Sequence, residues 1–458
     1  MVFSSLTFIV LFLPIFLICY FIVPKKYVGL RNLVLLLFSL LFYAAGEPIW
    51  VVLLIFSASF DCLLSIFIEK YRGKWQSKVL IGLSMAGSLG LLVFFKYTEF
   101  LFGLVGIHIA FQPVLPIGIS FYTFQTMSYS IDVYRGKIKA QRSPIAFLTY
   151  VAMFPPLIAG PIIRYAHIEK MLTNRDVTFH KVSEGISRFV MGLGKKVIFA
   201  NHAGVISAEL LGSQNPSTMG VWLGAIMFMF QIYFDFSGYS DMAIGLGKMI
   251  GFDFRENFNY PYTAKSITNF WRQWHISLGD FFREYVYIPL GGNRVKTPRA
   301  VFNILFVWMI TGLWHGASIN FVLWGIYFGF ILLIEKYAIK NLLKKIPAVL
   351  AHCYALAVVL FGWLIFYFVD LTMLRLYIGR FFGGGDFLTD YRSIEILLQN
   401  IWILGIFAIF STRVPIDILE SIAGRAKIVP VFFNIIVFAI SFMLLIGQTF
   451  SPFIYFRF

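Results

Sequence analysis

Two histidines sit among apolar and aromatic residues in this chain. His275 closes the run Trp271-Arg272-Gln273-Trp274-His275, and His315 lies in Gly312-Leu313-Trp314-His315-Gly316. A titratable ring in such surroundings needs a reason. Imidazole has an ordinary pKa of about 6.5, and desolvation lowers it, so a buried ring stays a base at neutral pH. Such a base can take the proton from a hydroxyl that attacks a thioester. General-base help of that kind is worth about 10²–10⁴-fold; holding both reactants in one dry site supplies much of the rest. Acyl transfer therefore suits these residues. Rival chemistries lack their parts: the sequence has no P-loop, no H-E-x-x-H, no C-x-x-C and no G-x-S-x-G.

The bland alternatives stay open on spacing alone. His275 could be a core or snorkelling ring. His315 could hydrogen-bond across a helix interface. Gly312 and Gly316 are four apart and share a helical face. That face could pack a second helix closely or leave room for a substrate, with Trp314 as a flat wall.

The elements that position these rings belong to a membrane. Of 458 residues, 59% are hydrophobic and only 13% are charged, where a soluble protein carries about a quarter. Long apolar runs alternate with short basic loops, the signature of a polytopic helical protein; no β-barrel alternation is present. The formal charge of +16 follows the positive-inside rule, not a nucleic-acid patch. Cys19, Cys62 and Cys353 are widely spaced and read as small core residues, with no metal or disulfide framework.

Residues 6–23 read as a first span that is retained, not a removed signal peptide. Lys25, Lys26 and Arg31 put the next loop in the cytoplasm and Met1 outside. Residues 33–45, 49–68, 79–95 and 113–133 then alternate, with basic loops on the cytoplasmic side. Residues 97–111 are short and could lie in the interface or extend the turn. Residues 146–163 contain Pro155-Pro156 and Gly160-Pro161, which break a helix, and basic loops flank both ends. This predicts a re-entrant or broken segment beside an internal cavity. Residues 185–211 and 221–246 follow, the latter with Asp235 and Asp241. Buried acids in lipid pair with bases or line a substrate path, and both readings stand here. Placed on one helix, residues 266–288 put Trp271, Trp274, Leu278, Phe281, Phe282 and Tyr285 on one face. Arg272, Gln273, Asp280, Arg283 and Glu284 fall opposite, so the segment reads as an interfacial helix stopped by Pro289. Residues 301–319, 321–335, 350–369, 394–410 and 431–447 complete the set. The expectation is a single all-α domain over 1–458 with roughly eleven spans, plus re-entrant and interfacial pieces.

Two long motifs carry a resemblance. Trp271-Arg272-Gln273-Trp274-His275-Ile276-Ser277-Leu278, continued by Phe282-Arg283-Glu284-Tyr285-Val286-Tyr287-Ile288-Pro289-Leu290-Gly291-Gly292-Asn293, and then Gly312-Leu313-Trp314-His315-Gly316, resemble the hallmarks of the membrane-bound O-acyltransferase (MBOAT) superfamily. The Val2-Phe3-Ser4-Ser5 start, residues 235–241 and residues 453–458 resemble its bacterial alginate O-acetylation, AlgI-like branch. The resemblance implies His315 as the essential histidine and His275 as the second. It implies helices ringed about a thin centre with a central tunnel, in a bacterial cytoplasmic membrane. The donor would be a cytoplasmic acyl thioester such as acetyl-CoA, a substrate and not a bound cofactor. Lys248, Lys265 and Arg272 could attract its phosphates, and Trp271, Trp274, Trp314, Asp235 and Asp241 are further candidates for donor or substrate contact. The acyl group would pass outward to a polysaccharide, directly or through an extracytoplasmic SGNH-type acetyltransferase or acyl-relay protein. A transporter or flippase for the same polymer, or a non-catalytic scaffold, is the alternative.

Overall fold

The computed structural model describes residues 2–107, 113–426, 428–447 and 453. Residues 108–112, Lys427 and residues 454–458 of the terminal motif lie outside the described residues. Among the described residues every regular element is helical. Among the described residues seven helices are long and apolar enough to cross a bilayer: Trp50–Lys70, Trp75–Leu104, Thr218–Met249, Ile319–Lys345, Ala348–Tyr367, Tyr391–Phe410 and Val429–Gly447. Thr7–Ile22 and Val28–Ala44 are shorter apolar helices. The number falls below the expected eleven because some apolar runs form shorter helices, among them Thr7–Ile22, Val28–Ala44 and Ile119–Tyr134, and others carry polar side chains. Ile119–Tyr134 buries Ser120, Thr123, Gln125, Ser130 and Asp132, and residues 179–211 carry Lys195 and Lys196 in a π-helical turn.

Chain contacts form two compact units, Met1–Val190 with Tyr239–Glu256, and Met191–Gly238 with Asn257–Phe458. In the first, the proline-rich segment is broken as its sequence predicts. Helices Pro144–Ala152 and Phe154–Leu157 are separated at Met153, and residues 158–164 are irregular but buried. The rings of Phe3, Phe8, Phe12, Phe16 and Phe42 surround Phe154 with centroids 5.1–6.2 Å away. The Tyr150 hydroxyl reaches the Ile163 carbonyl at 2.9 Å, and the Ser39 hydroxyl accepts the Phe154 N–H at 3.1 Å. These bonds satisfy backbone groups left without helical partners at the break, as apolar surroundings demand. Asp61, fully buried, accepts hydroxyls from Ser84 at 2.6 Å and Ser88 at 2.8 Å, which ties Trp50–Lys70 to Trp75–Leu92.

The same unit buries two guanidiniums that have no carboxylate partner among the described residues. Arg31 donates twice to the Val23 carbonyl, at 3.0 and 2.8 Å. Arg175 donates to the Tyr20 hydroxyl at 2.8 Å, to Asn32 Oδ1 at 2.6 Å and to the Met171 carbonyl at 3.1 Å. Tyr20 passes its own hydroxyl to the Ile250 carbonyl at 2.8 Å, and Asn32 donates to the Leu172 carbonyl at 2.7 Å. These carbonyls lie at the ends of helices Leu13–Ile22, Tyr165–Thr173 and Thr218–Met249. Each helix C-terminus carries about half a negative charge, so three of them offset most of the charge of the two cations. Arg175→Ala should lower the stability of the purified protein by about 2–4 kcal/mol. Thermal unfolding in detergent would show it, and an unchanged midpoint would refute this account.

Candidate active site

The second unit holds both histidines. Helix Thr297–His315 ends on His315, Gly316 is extended, and Ile319–Ile334 returns alongside. The two helices meet backbone to backbone. A Cβ on Gly312 would lie 2.1 Å from the Phe321 carbonyl oxygen, and one on Gly325 would lie 2.2 Å from that of Trp308. A Cβ on Gly316 would lie 2.2 Å from the Phe321 ring. The glycine face thus serves helix packing, and no space for a substrate opens there. Asn320, fully buried in the return turn, donates to the Phe366 carbonyl at 3.2 Å. His315 is 4% exposed, with its ring edge-on to Trp324 and Phe366 at 5.1 and 5.4 Å.

His275 reaches the same place by a different route. The continuous helix expected over 266–288 is broken: Ile267–Trp271 and Ile276–Phe282 are separate helices, followed by a π turn at Arg283–Tyr287. His275 stands at the break with φ +44°, a left-handed conformation that costs a non-glycine residue about 1–3 kcal/mol. Distant residues hold the break open. The Asn257 carbonyl takes the Ile276 N–H at 2.9 Å, and Asn257 Oδ1 takes the Ser277 N–H at 3.3 Å and the Ser277 hydroxyl at 2.8 Å. Glu335 caps the preceding helix, accepting the N–H groups of Ile267 at 2.6 Å and Thr268 at 2.8 Å. The aromatic face nevertheless points inward: Trp274, Leu278, Phe281 and Phe282 are buried, and Arg272 is exposed.

The two histidine rings share one neighbour, Trp314, at 5.9 Å from His275 and 5.0 Å from His315. Both histidines line a cavity of about 810 Å³, together with Trp271, Trp274 and Trp308. Lys265, Arg272, Arg283, Lys336, Lys340 and Lys344 also line it, against a single acid, Glu335, which is spent on its helix cap. Burial pushes the His275 imidazole down to about 3, so the ring is neutral at working pH. Trp314 and Asp235 are not among the lining residues. Asp235 pairs with Lys196 at 2.6 Å, both buried. In the first unit Asp241 pairs with Arg188, also at 2.6 Å, and Arg188 reaches Glu256 at 2.5 Å. Lys248, in that unit as well, pairs with Glu184 at 2.9 Å. Sequence reasoning missed Asn257, Asn320 and Glu335. Their one signal was a polar residue at the edge of an apolar or aromatic run.

A model of the membrane-bound O-acyltransferase family matches residues 35–414. The chain belongs to this family. It is an O-acyltransferase and a multi-pass membrane protein. It is 38% identical over 504 aligned residues, covering all of both chains, to the protein named "Probable alginate O-acetylase AlgI" in Pseudomonas putida. The Pseudomonas aeruginosa protein of the same name is 41% identical over 80% of this chain and 72% of its own length. A peptidoglycan O-acetyltransferase of Helicobacter pylori is 33% identical over 80% and 77%.

The glycine contact yields a test. Gly312→Ala should lower both thermal stability, by about 1–3 kcal/mol, and acyltransferase activity. Gly82→Ala, whose Cβ would meet nothing within 4 Å, should leave both intact.

Proposed function

We propose that the protein transfers an acyl group, in the simplest case acetyl, from a thioester donor to a hydroxyl destined for an extracytoplasmic polysaccharide. The observation that carries this reading is that one cavity joins a basic rim to two buried histidines. Six cations on that rim suit a polyanionic donor such as acetyl-CoA. Lys336, Lys340 and Lys344 lie towards the C-terminal end of helix Ile319–Lys345, the end that the positive-inside rule assigns to the cytoplasm, where that donor resides. The apolar, tryptophan-lined interior suits the acyl thioester and excludes water.

In this mechanism His315 takes the proton as the acceptor oxygen attacks the thioester carbon. The tetrahedral centre then collapses, the carbon–sulfur bond breaks, and the imidazolium returns its proton to the departing thiolate. Transfer is direct, with no acyl-enzyme. Alginate and peptidoglycan O-acetylation by the relatives favour a cell-surface polymer as the final acceptor, reached directly or through an SGNH-type acetyltransferase or acyl-relay partner. The bacterial cytoplasmic membrane is the setting that gives the two substrates access from opposite sides. A polymer transporter or a scaffold has no use for a buried base beside a cationic rim.

Purified protein in nanodiscs with radiolabelled acetyl-CoA tests the reading. His315→Ala, still folded, should lose about 10²–10⁴-fold in acyl transfer; equal turnover in wild type and variant would overturn the role of this residue. Replacing Lys340 and Lys344 by Glu should raise KM for acetyl-CoA by about tenfold, with kcat little changed and the effect shrinking as salt rises.

A further inference from the structure

A neutral imidazole has two tautomers, and the surroundings of His275 select one. Asn257 is fully buried, and its Oδ1 accepts both the backbone N–H and the hydroxyl of Ser277. Exchanging the oxygen and nitrogen of this amide would set its NH₂ against the Ser277 N–H, donor against donor. The oxygen is therefore fixed in place. It lies 3.1 Å from His275 Nδ1. Facing a committed acceptor, Nδ1 must carry the proton, and the lone pair is left on Nε2. That nitrogen is buried and has no hydrogen-bond partner among the described residues. Through its carbonyl, Asn257 also holds the Ile276 N–H, so one residue sets both the left-handed backbone and the proton position of His275.

We propose that Asn257 is a positioning residue for acyl transfer: it locks His275 as the Nδ1–H tautomer, so that only Nε2 can receive a proton or a hydrogen bond from a reactant. This rests on the function proposed above. The groups packed against the His275 ring are Phe236 at 4.7 Å, Trp314 at 5.9 Å, Ser277 and Asn257 itself. Among these described neighbours none is charged, and the ring serves as a neutral acceptor.

Asn257→Asp keeps the acceptor oxygen and adds a charge beside the ring. The carboxylate favours imidazolium, so the pKa of His275 rises. Activity requires the free lone pair and so increases with pH through that value. The variant should therefore lose activity at neutral pH and recover most of it on the alkaline side, along a limb that wild type lacks. Asn257→Leu removes the acceptor and should lower kcat by about 10–100-fold with the donor KM unchanged. If Asn257 merely supports the fold, the Asp variant will keep the wild-type pH profile and any loss in the Leu variant will track thermal stability; either result sinks the proposal. Nitrogen-15 NMR of imidazole-labelled protein reads the lock without any turnover. Wild-type His275 should show a protonated Nδ1 and a bare Nε2, and a dominant Nε2–H form would overturn the inference even if acyl transfer is confirmed. If no sample turns over acetyl-CoA, the functional reading fails, and the NMR result still decides the tautomer.

Discussion

A chain that leaves helical geometry in apolar surroundings must find partners for the backbone groups it frees. This constraint shapes the candidate active site more than any single attraction. The break before His275 persists because Asn257, eighteen residues upstream, accepts the N–H groups of Ile276 and Ser277, and because Glu335 caps the short helix on the other side. With those bonds in place the chain can present an imidazole where a continuous helix would bury its backbone uselessly. The segment that carries Trp271, Trp274 and His275 is thus fixed from both flanks by residues outside it.

His315 is positioned by the opposite strategy. Its helix is regular to the last residue, and precision comes from close approach to a second helix through Gly312 and Gly325. The two histidines therefore rest on different kinds of support, one on long-range hydrogen bonds and one on backbone contact. Trp314 touches both rings and links the two supports. The basic rim needs neither, since exposed lysines act on a polyanion through the field they create and tolerate loose geometry.

Much of this was legible in the chain. The apolar runs mark the helices, the prolines at 155 and 156 mark a real break, and the paired histidine motifs mark the residues that line one cavity. The family resemblance read from those motifs matches the family assignment. Other features were hidden for physical reasons. The break at His275 carries no proline or glycine, and its aromatic face keeps its helical phase across the gap, so periodicity alone describes one helix. What breaks that helix is Asn257, and local pattern cannot register a partner so far away in sequence. Asp235 and Asp241 left two readings open, and the structure places both in ion pairs, with Lys196 and Arg188. The glycines at 312 and 316 were equally ambiguous until the neighbouring helix supplied the carbonyl and ring against which they pack.

The joint built on Arg31 and Arg175 has one more property. Its positive charges are balanced by the ends of three helices and by neutral oxygens. Among the described residues that balance holds no carboxylate, and a peptide carbonyl has no proton to lose. An acid–guanidinium pair in the same position would loosen as its carboxylate protonated. Acidification therefore meets no carboxylate in this clasp that protonation would detach.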